Sequence, residues 1–323
     1  MTKAIALFSG GLDSILAVRL VQKQNIDVTC LALTSPFFDA TKAKAAALQA
    51  GLQLVVKDIT GEYLQMFASP RYGFGKNMNP CIDCHTLMIK VAGRMMEETG
   101  ADFLITGEVL GQRPMSQNRQ SINLVAKNSG YGDFTLRPLS ARLLDPVKPE
   151  REGVIDRSML EGISGRGRKD QMRLARLFGI SDYPPPAGGC LLTDPIFTRR
   201  LKEMMQHEKI NSPRQYELLR FGRHFRAPDG AKIIVGRNAA DNDALRQLAC
   251  ASDLTCSMAG RPGPFVLVPA GDESSKPLAA ALCARYANVP ENVEAEVLCH
   301  RAGLSGIIRI SPLAKEKCAQ LII

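Results

Sequence analysis

No stretch of this 323-residue chain approaches the roughly 18 consecutive apolar residues that a membrane-spanning helix needs. The apolar run between Lys3 and Ser9 is too short for a signal-peptide core, so a cytoplasmic protein without membrane contact is expected. Two familiar phosphate cradles are missing, since neither GxxxxGKS/T nor GxGxxG occurs. Internal repeats, coiled-coil heptads and low-complexity tracts are also absent, which leaves an ordinary globular chain. Its length is too great for one small core and implies two domains, or one large domain with an appendage.

What is present begins with nine cysteines, an odd number that a reducing compartment would keep mostly as thiols. Cys30, Cys250, Cys256, Cys283, Cys299 and Cys318 sit among apolar or small residues, where a thiol behaves as a small buried hydrophobe. Cys81 and Cys84 in "MNPCIDCH" and Cys190 in "PPPAGGC" lie in proline- and glycine-rich settings and call for a chemical explanation. The net charge of +9 is unevenly placed, with 19 Lys and Arg against 12 Asp and Glu between Arg142 and Arg237. Such a belt suits a polyanion, because neutralised phosphates release counterions; a solvated basic face is the plain alternative.

The first half of the chain alternates. "KAIALFS", "DVTCLALTS", "LQLVVKDI" and "DFLITGE" read as strands. Between them lie the helical patterns "LDSILAVRLVQKQ", with Ile15, Leu16, Val18, Leu20 and Val21 on one apolar face, "TKAKAAALQAG", and "CHTLMIKVAGRMMEETG". In the last of these Met88, Val91, Ala92 and Met95 recur at i, i+3, i+4 and i+7. This alternation predicts an α/β fold, a parallel sheet with helices on both faces that binds ligands at the carboxyl ends of its strands. Residues 140–195 are turn-rich and basic, and 196–220 contain an amphipathic helix fit to connect domains. The last hundred residues read as α+β, with strands at "AKIIVGR", "PFVLVP", "VEAEVLC" and "SGIIRI". The expected division is 1–195, a helical connector 196–220, and a smaller domain 221–323.

"SGGLDS" closes the first strand and opens the first helix. Gly10 and Gly11 permit a sharp turn and a close backbone approach, and the helix-start amides favour an anion. Ser9 and Ser14 add hydroxyls. Asp13 would repel a bare phosphate, which points to Mg2+ between its carboxylate and a polyphosphate. After a strand at the N-terminus this hexapeptide resembles the PP-loop of N-type ATP pyrophosphatases. The resemblance implies a fold of that type, ATP bound by Ser9, Gly10, Gly11, Asp13 and Ser14, cleavage between the α and β phosphates, and transfer of AMP to a carbonyl oxygen. "ITGE", with Gly107, ends a later strand at the same sheet edge and would face the nucleotide.

Cysteines at i and i+3 on a first helical turn can share one ion, and the helix N-terminus is expected to lower their pKa. "NPCIDCHTLMIK" resembles a segment of tRNA 2-thiouridylases, with His85 where asparagine is usual, and Cys190 falls near that family's second active cysteine. The resemblance implies sulfur delivery with Cys81, Cys84 and Cys190 as catalytic residues beside Asp13. Three forms of the triad stay open: a 4Fe-4S cluster held by the three cysteines, which the paired Cys81 and Cys84 favour; a metal-free persulfide and disulfide route; and zinc.

In "SGRGRKDQMR", Arg166, Arg168, Lys169 and Arg173 suit phosphate contact, and Lys90 suits the same edge. "AKIIVGRNAADNDAL" with "RPGPFVLVPAG" is similar to the RNA-binding segment of the NFACT family, which implies RNA contact by Arg237 and Asn238; the alternative is that Asn238 and Asp241 cap a helix. Together the resemblances imply ATP-dependent thiolation of a tRNA uridine, related to 2-thiouridylases and 4-thiouridine synthetases, with sulfur from a cysteine desulfurase or free sulfide. Within this sequence there is no THUMP-like region, rhodanese-like cysteine tail or β-barrel of the 2-thiouridylase kind. Rival readings are a sulfurtransferase or amidase acting on a small molecule, and a non-catalytic RNA-binding iron-sulfur protein.

Overall fold

The computed structural model describes residues 2–183, 190–210 and 212–323. Its contacts separate a first unit, Met1–Thr193, from a second, Asp194–Ile323. In the first unit β1 (Lys3–Leu7) is central. β2 (Asp27–Thr34) and β3 (Leu54–Asp58) extend the sheet on one side, β4 (Phe103–Thr106) and β5 (Thr135–Leu136) on the other. The order is β3-β2-β1-β4-β5, with every pairing parallel, as the alternation predicts. Strand order reverses between β1 and β4, so their carboxyl ends flank the crevice where open α/β sheets bind ligands.

The helices of this unit are α1 (Leu12–Gln22), α2 (Thr41–Ala50), α3 (Thr60–Ala68), α4 (Cys81–Thr99), α5 (Arg119–Ser129), α6 (Lys148–Arg151) and α7 (Lys169–Leu177). Ala4, Ala6 and Phe8 form one core with Ile15, Val18 and Val21 of α1 and Ala43, Ala46 and Ala47 of α2. Leu12, Leu16 and Leu20, on the other side of α1, are closed over by Val109, Leu139, Ile163 and Leu174. α1 is therefore buried on two sides instead of presenting the single apolar face its sequence suggests, which is why it is apolar nearly all round. α4 packs against β1 and β4 and is flanked by α3 and α5.

The second unit opens with α8 (Pro195–His207) and α9 (Pro213–Leu218). Its sheet consists of β6 (Arg223–Arg226), β7 (Lys232–Val235), β8 (Leu254–Met258), β9 (Val266–Val268), β10 (Ala295–Arg301) and β11 (Leu304–Ile310), in the order β11-β10-β8-β9-β7-β6. All its pairings are antiparallel. α10 (Ala239–Leu248), α11 (Lys276–Tyr286) and α12 (Lys315–Leu321) complete the unit, and α11 lays Ala279, Ala280, Leu282 and Cys283 into its core. The 196–220 segment, expected as a connector, is built into this unit. Phe197, Leu201 and Met204 are buried, Arg200 donates to the Leu219 and Gly222 carbonyls at 2.9 Å, and Arg226 reaches Glu203 and Glu208 at 2.6 Å. Among the described residues no helix is long and apolar enough to cross a membrane.

Candidate active site

β1 runs into the turn Ser9-Gly10-Gly11. Gly10 has a φ of +73°, and a Cβ there would collide with the Lys42 backbone carbonyl, so both conformation and space require glycine. Ser14 Oγ donates to the Gly11 carbonyl at 2.8 Å and lies 3.5 Å from Ser9 Oγ, which ties the turn to the start of α1. Gln112 Nε2 donates to Asp13 Oδ2 at 3.1 Å, while Asp13 Oδ1 is buried with no hydrogen-bond partner. A carboxylate oxygen left free beside the unsatisfied amides of a helix start fits a hard cation carrying phosphates. A Cβ on Gly107 would stand 2.7 Å from the Ser14 nitrogen, so the turns after β1 and β4 form one continuous surface. Ser9, Gly10, Gly11, Asp13, Ser14 and Gly107 are thus all brought together at the switch point.

Glu108, quoted in the sequence only as the end of "ITGE", is the charged hub of this edge. Its buried carboxylate accepts from Arg137 Nε and His85 Nδ1, each at 2.8 Å, and from Thr106 Oγ1 at 3.1 Å. Burial works to raise its pKa, but Arg137 and His85 outweigh burial and hold it down at about 2. An ionised carboxylate can only accept, so the proton of His85 that faces it sits on Nδ1. His85 therefore turns toward β4 instead of joining Cys81 and Cys84 as a ligand. Glu108 and Arg137 carry no spacing signal in the sequence.

Cys81 and Cys84 open α4. Asn79 Nδ2 donates to Cys81 Sγ at 3.0 Å, and the Asp83 carboxylate accepts the amides of Arg71 and Tyr72 at 3.2 and 3.0 Å, folding the preceding loop back onto the helix. Pro184–Gly189, the run before Cys190, lie outside the described residues, but the turn after Cys190 is firmly anchored. Leu191 donates its amide to the Phe37 carbonyl at 2.9 Å, and Asn77 Nδ2 donates to the Thr193 carbonyl at 3.1 Å. Cys190 thereby comes within electrostatic range of Cys81 and Cys84, and Tyr63 feels all three.

The thiol chemistry differs from the sequence expectation. Burial pushes the Cys84 pKa well up, and Cys190 adds to the effect. Burial also takes Cys190 up to about 11, with the Leu192 amide and Arg113 pulling against it. Lost hydration outweighs the helix dipole here. Among the described residues, no three His, Cys, Asp or Glu side chains converge to hold a metal ion. Of the other cysteines, Cys30, Cys256, Cys283, Cys299 and Cys318 are buried as expected, but Cys250, in the turn after α10, is exposed.

The basic loop is held at the same edge, since Gly165 donates its amide to the Leu110 carbonyl at 2.7 Å. Arg166 and Lys169 are exposed, Arg168 lies over the Tyr183 ring at 5.9 Å, and Arg173 pairs with Glu161 at 3.0 Å. Lys90 is exposed on α4. In the second unit Arg237 Nε donates to Asp241 at 2.5 Å, and Asn238 caps α10 by accepting the Asp241 amide at 2.9 Å. Part of the basic belt is used internally: Lys232 is buried against Glu203 and Glu208, as is Arg200 against backbone carbonyls.

Residues 1–142 match the family model described as Thiamine biosynthesis protein (ThiI), and residues 222–322 match the NFACT protein RNA binding domain. Three curated relatives each bear the name probable tRNA sulfurtransferase. The protein from Methanothermobacter thermautotrophicus is 30% identical over 172 residues, covering 49% of this chain and 42% of the relative. Those from Alkaliphilus oremlandii and Caldanaerobacter subterraneus are each 29% identical over 146 residues, covering 43% and 42% of this chain and 36% of each relative. The chain thus spans 36% to 42% of the length of these relatives. The first unit is therefore similar to the ThiI family over residues 1–142, and the second to the NFACT RNA binding domain over residues 222–322.

Proposed function

We propose that this protein is an ATP-dependent tRNA uridine sulfurtransferase. The turn Ser9-Gly10-Gly11 and the first amides of α1 hold the phosphates of ATP, with Asp13 and Ser14 placing Mg2+ against them. A uracil carbonyl oxygen attacks the α phosphorus and pyrophosphate leaves. Sulfur presented at Cys81, Cys84 and Cys190 then attacks the ring carbon, the carbon-oxygen bond breaks, and AMP departs. Adenylation is needed because a carbonyl oxygen is a poor leaving group, and activation splits one hard step into two easier ones. A 4Fe-4S cluster on the three cysteines would supply an open iron position for sulfide. Arg166, Arg168, Lys169 and Arg173 contact tRNA phosphates, with Arg237 and Asn238 contributing from the second unit. The sulfur comes from a cysteine desulfurase or from free sulfide.

The observation that carries this reading is the Gly107-Glu108 pair. Gly107 packs on the nucleotide turn at Ser14, and Glu108 grips His85, one helical turn after Cys81. Two adjacent residues therefore join the ATP surface to the thiol helix. The matched families and the names of the relatives support the same reading.

The test uses anaerobically purified protein with ATP, Mg2+, sulfide and unmodified tRNA. AMP and pyrophosphate are expected to appear in step with thiouridine, detected by mass spectrometry of digested tRNA. AMP release driven by a small molecule and indifferent to tRNA, or RNA binding without AMP release, would each refute the proposal in favour of one of the two rivals.

A further inference from the structure

Tyr63 on α3 is 0% exposed, and its hydroxyl is buried with no hydrogen-bond partner. Its ring is walled by phenylalanines: Phe38 stands edge-on at 5.2 Å, Phe37 is tilted at 5.4 Å, and Phe67 is stacked at 6.4 Å. A fourth phenylalanine would fill the same space. A buried phenol normally finds an acceptor, and leaving one unsatisfied is destabilising. The groups acting on this hydroxyl are the thiols of Cys84, Cys190 and Cys81, and Cys84 comes near enough for a weak sulfur contact that falls short of a well-formed hydrogen bond. A neutral thiol is a weak acceptor, whereas an anionic sulfur is a strong one.

We propose that the Tyr63 hydroxyl is the hydrogen-bond donor of a binding site for an anionic sulfur, a persulfide terminus or a sulfide, enclosed by the three cysteines and the Phe37, Phe38 and Phe67 rings. This deepens the thiolation reading and rests on it. The aromatic wall keeps water from the sulfur. The hydroxyl that the protein leaves without an acceptor becomes the specific contact of the bound sulfur.

The test compares wild type with Tyr63→Phe in two arms. In the first, inorganic tetrasulfide loads a persulfide: a cysteine thiolate attacks the chain, one sulfur-sulfur bond forms, one breaks, and trisulfide leaves with its two negative charges. Alkylation and mass spectrometry then follow loss of the added sulfur. In the second, ferrous iron and sulfide are added anaerobically, and retention of acid-labile sulfide during gel filtration is measured. The phenylalanine variant is expected to lose its sulfur on the order of ten-fold faster in the arm that loads, the worth of one strong hydrogen bond. Unloaded, it should melt at the same temperature as wild type or higher, because an unsatisfied hydroxyl has been removed; a hydroxyl with a merely structural role would lower that temperature. Equal sulfur lifetimes in both proteins would overturn the Tyr63 assignment while leaving thiolation standing. Failure of wild type to hold sulfur in either arm would overturn both.

Discussion

Asn77 donates its side-chain amide to the Thr193 carbonyl at 3.1 Å, and this bond fastens the turn that carries Cys190 to the turn that leads into Cys81. The link joins the two thiol-bearing turns and includes no residue of the nucleotide turn. Asn77→Ala should therefore slow thiouridine formation on the order of ten-fold while AMP release changes by less than about two-fold, as expected for one lost positioning hydrogen bond. Parallel assays of AMP and thionucleoside would check this; equal losses in both would contradict the division of labour.

Gly107→Ala places a methyl group 2.7 Å from the Ser14 nitrogen, so one of the two turns must move. Expected are a loss of about 1–3 kcal/mol in stability and a ten-fold or greater weakening of ATP binding, on the order typical of overpacking. Gly61→Ala is the control. Nothing lies within 4 Å of its added Cβ, and alanine in a helix should stabilise by about 0.5 kcal/mol. Calorimetric titration with a non-hydrolysable ATP analogue and urea denaturation measure the two quantities.

Glu108 has a folded pKa of about 2 against an ordinary value of 4.5. A depressed carboxylate contributes stability that is fully present above pH 4.5 and disappears as pH falls through about 2. The contribution is about 3 kcal/mol near neutrality by linkage. Glu108→Gln also leaves Arg137 buried and unpaired, at a cost of about 3–5 kcal/mol. Urea denaturation should show wild type well above the variant at pH 7, with the gap closing between pH 4.5 and pH 2.

The basic loop can be read through salt dependence. Arg166→Ala and Lys169→Ala should each weaken tRNA binding and lower the slope of log affinity against log salt by about 1. Arg173→Ala should do less, since Glu161 already holds that guanidinium at 3.0 Å. Asn238→Ala removes the α10 cap and should cost about 1 kcal/mol in thermal or urea melting with no change in that slope.

Cys256 and Cys299 face each other across β8 and β10, with their sulfurs 3.3 Å apart. Directly paired strand positions fall within the span that a disulfide bridges. Diamide should oxidise the pair, two thiols giving up two protons and two electrons to the reagent, and peptide mapping should find this crosslink in wild type and not in Cys256→Ser.

The local elements of the first unit were legible because they rest on short-range rules. Strand and helix periods placed β1 to β4, α1, α2 and α4, and the Gly10-Gly11 pair marked the sharp turn between β1 and α1. The RHFR strand β6 and the helices α3 and α5 were not read from the sequence: β6 is four residues without apolar alternation, and α3 and α5 are helices of 9 and 11 residues, short enough to depend on packing for their stability. The thiol pair could be named from spacing, but its ionisation could not, because burial reversed the effect of the helix terminus. Amino-acid sequence alone determined that this chain has a glycine turn and three unusual cysteines. Only the tertiary structure decided that Cys190 comes within electrostatic range of Cys81 and Cys84, that Glu108 binds Arg137 and His85, and that the Tyr63 hydroxyl is left without a well-formed hydrogen bond. These are contacts between segments far apart along the chain, and their geometry is set by how the sheet and its loops pack, which no local spacing encodes.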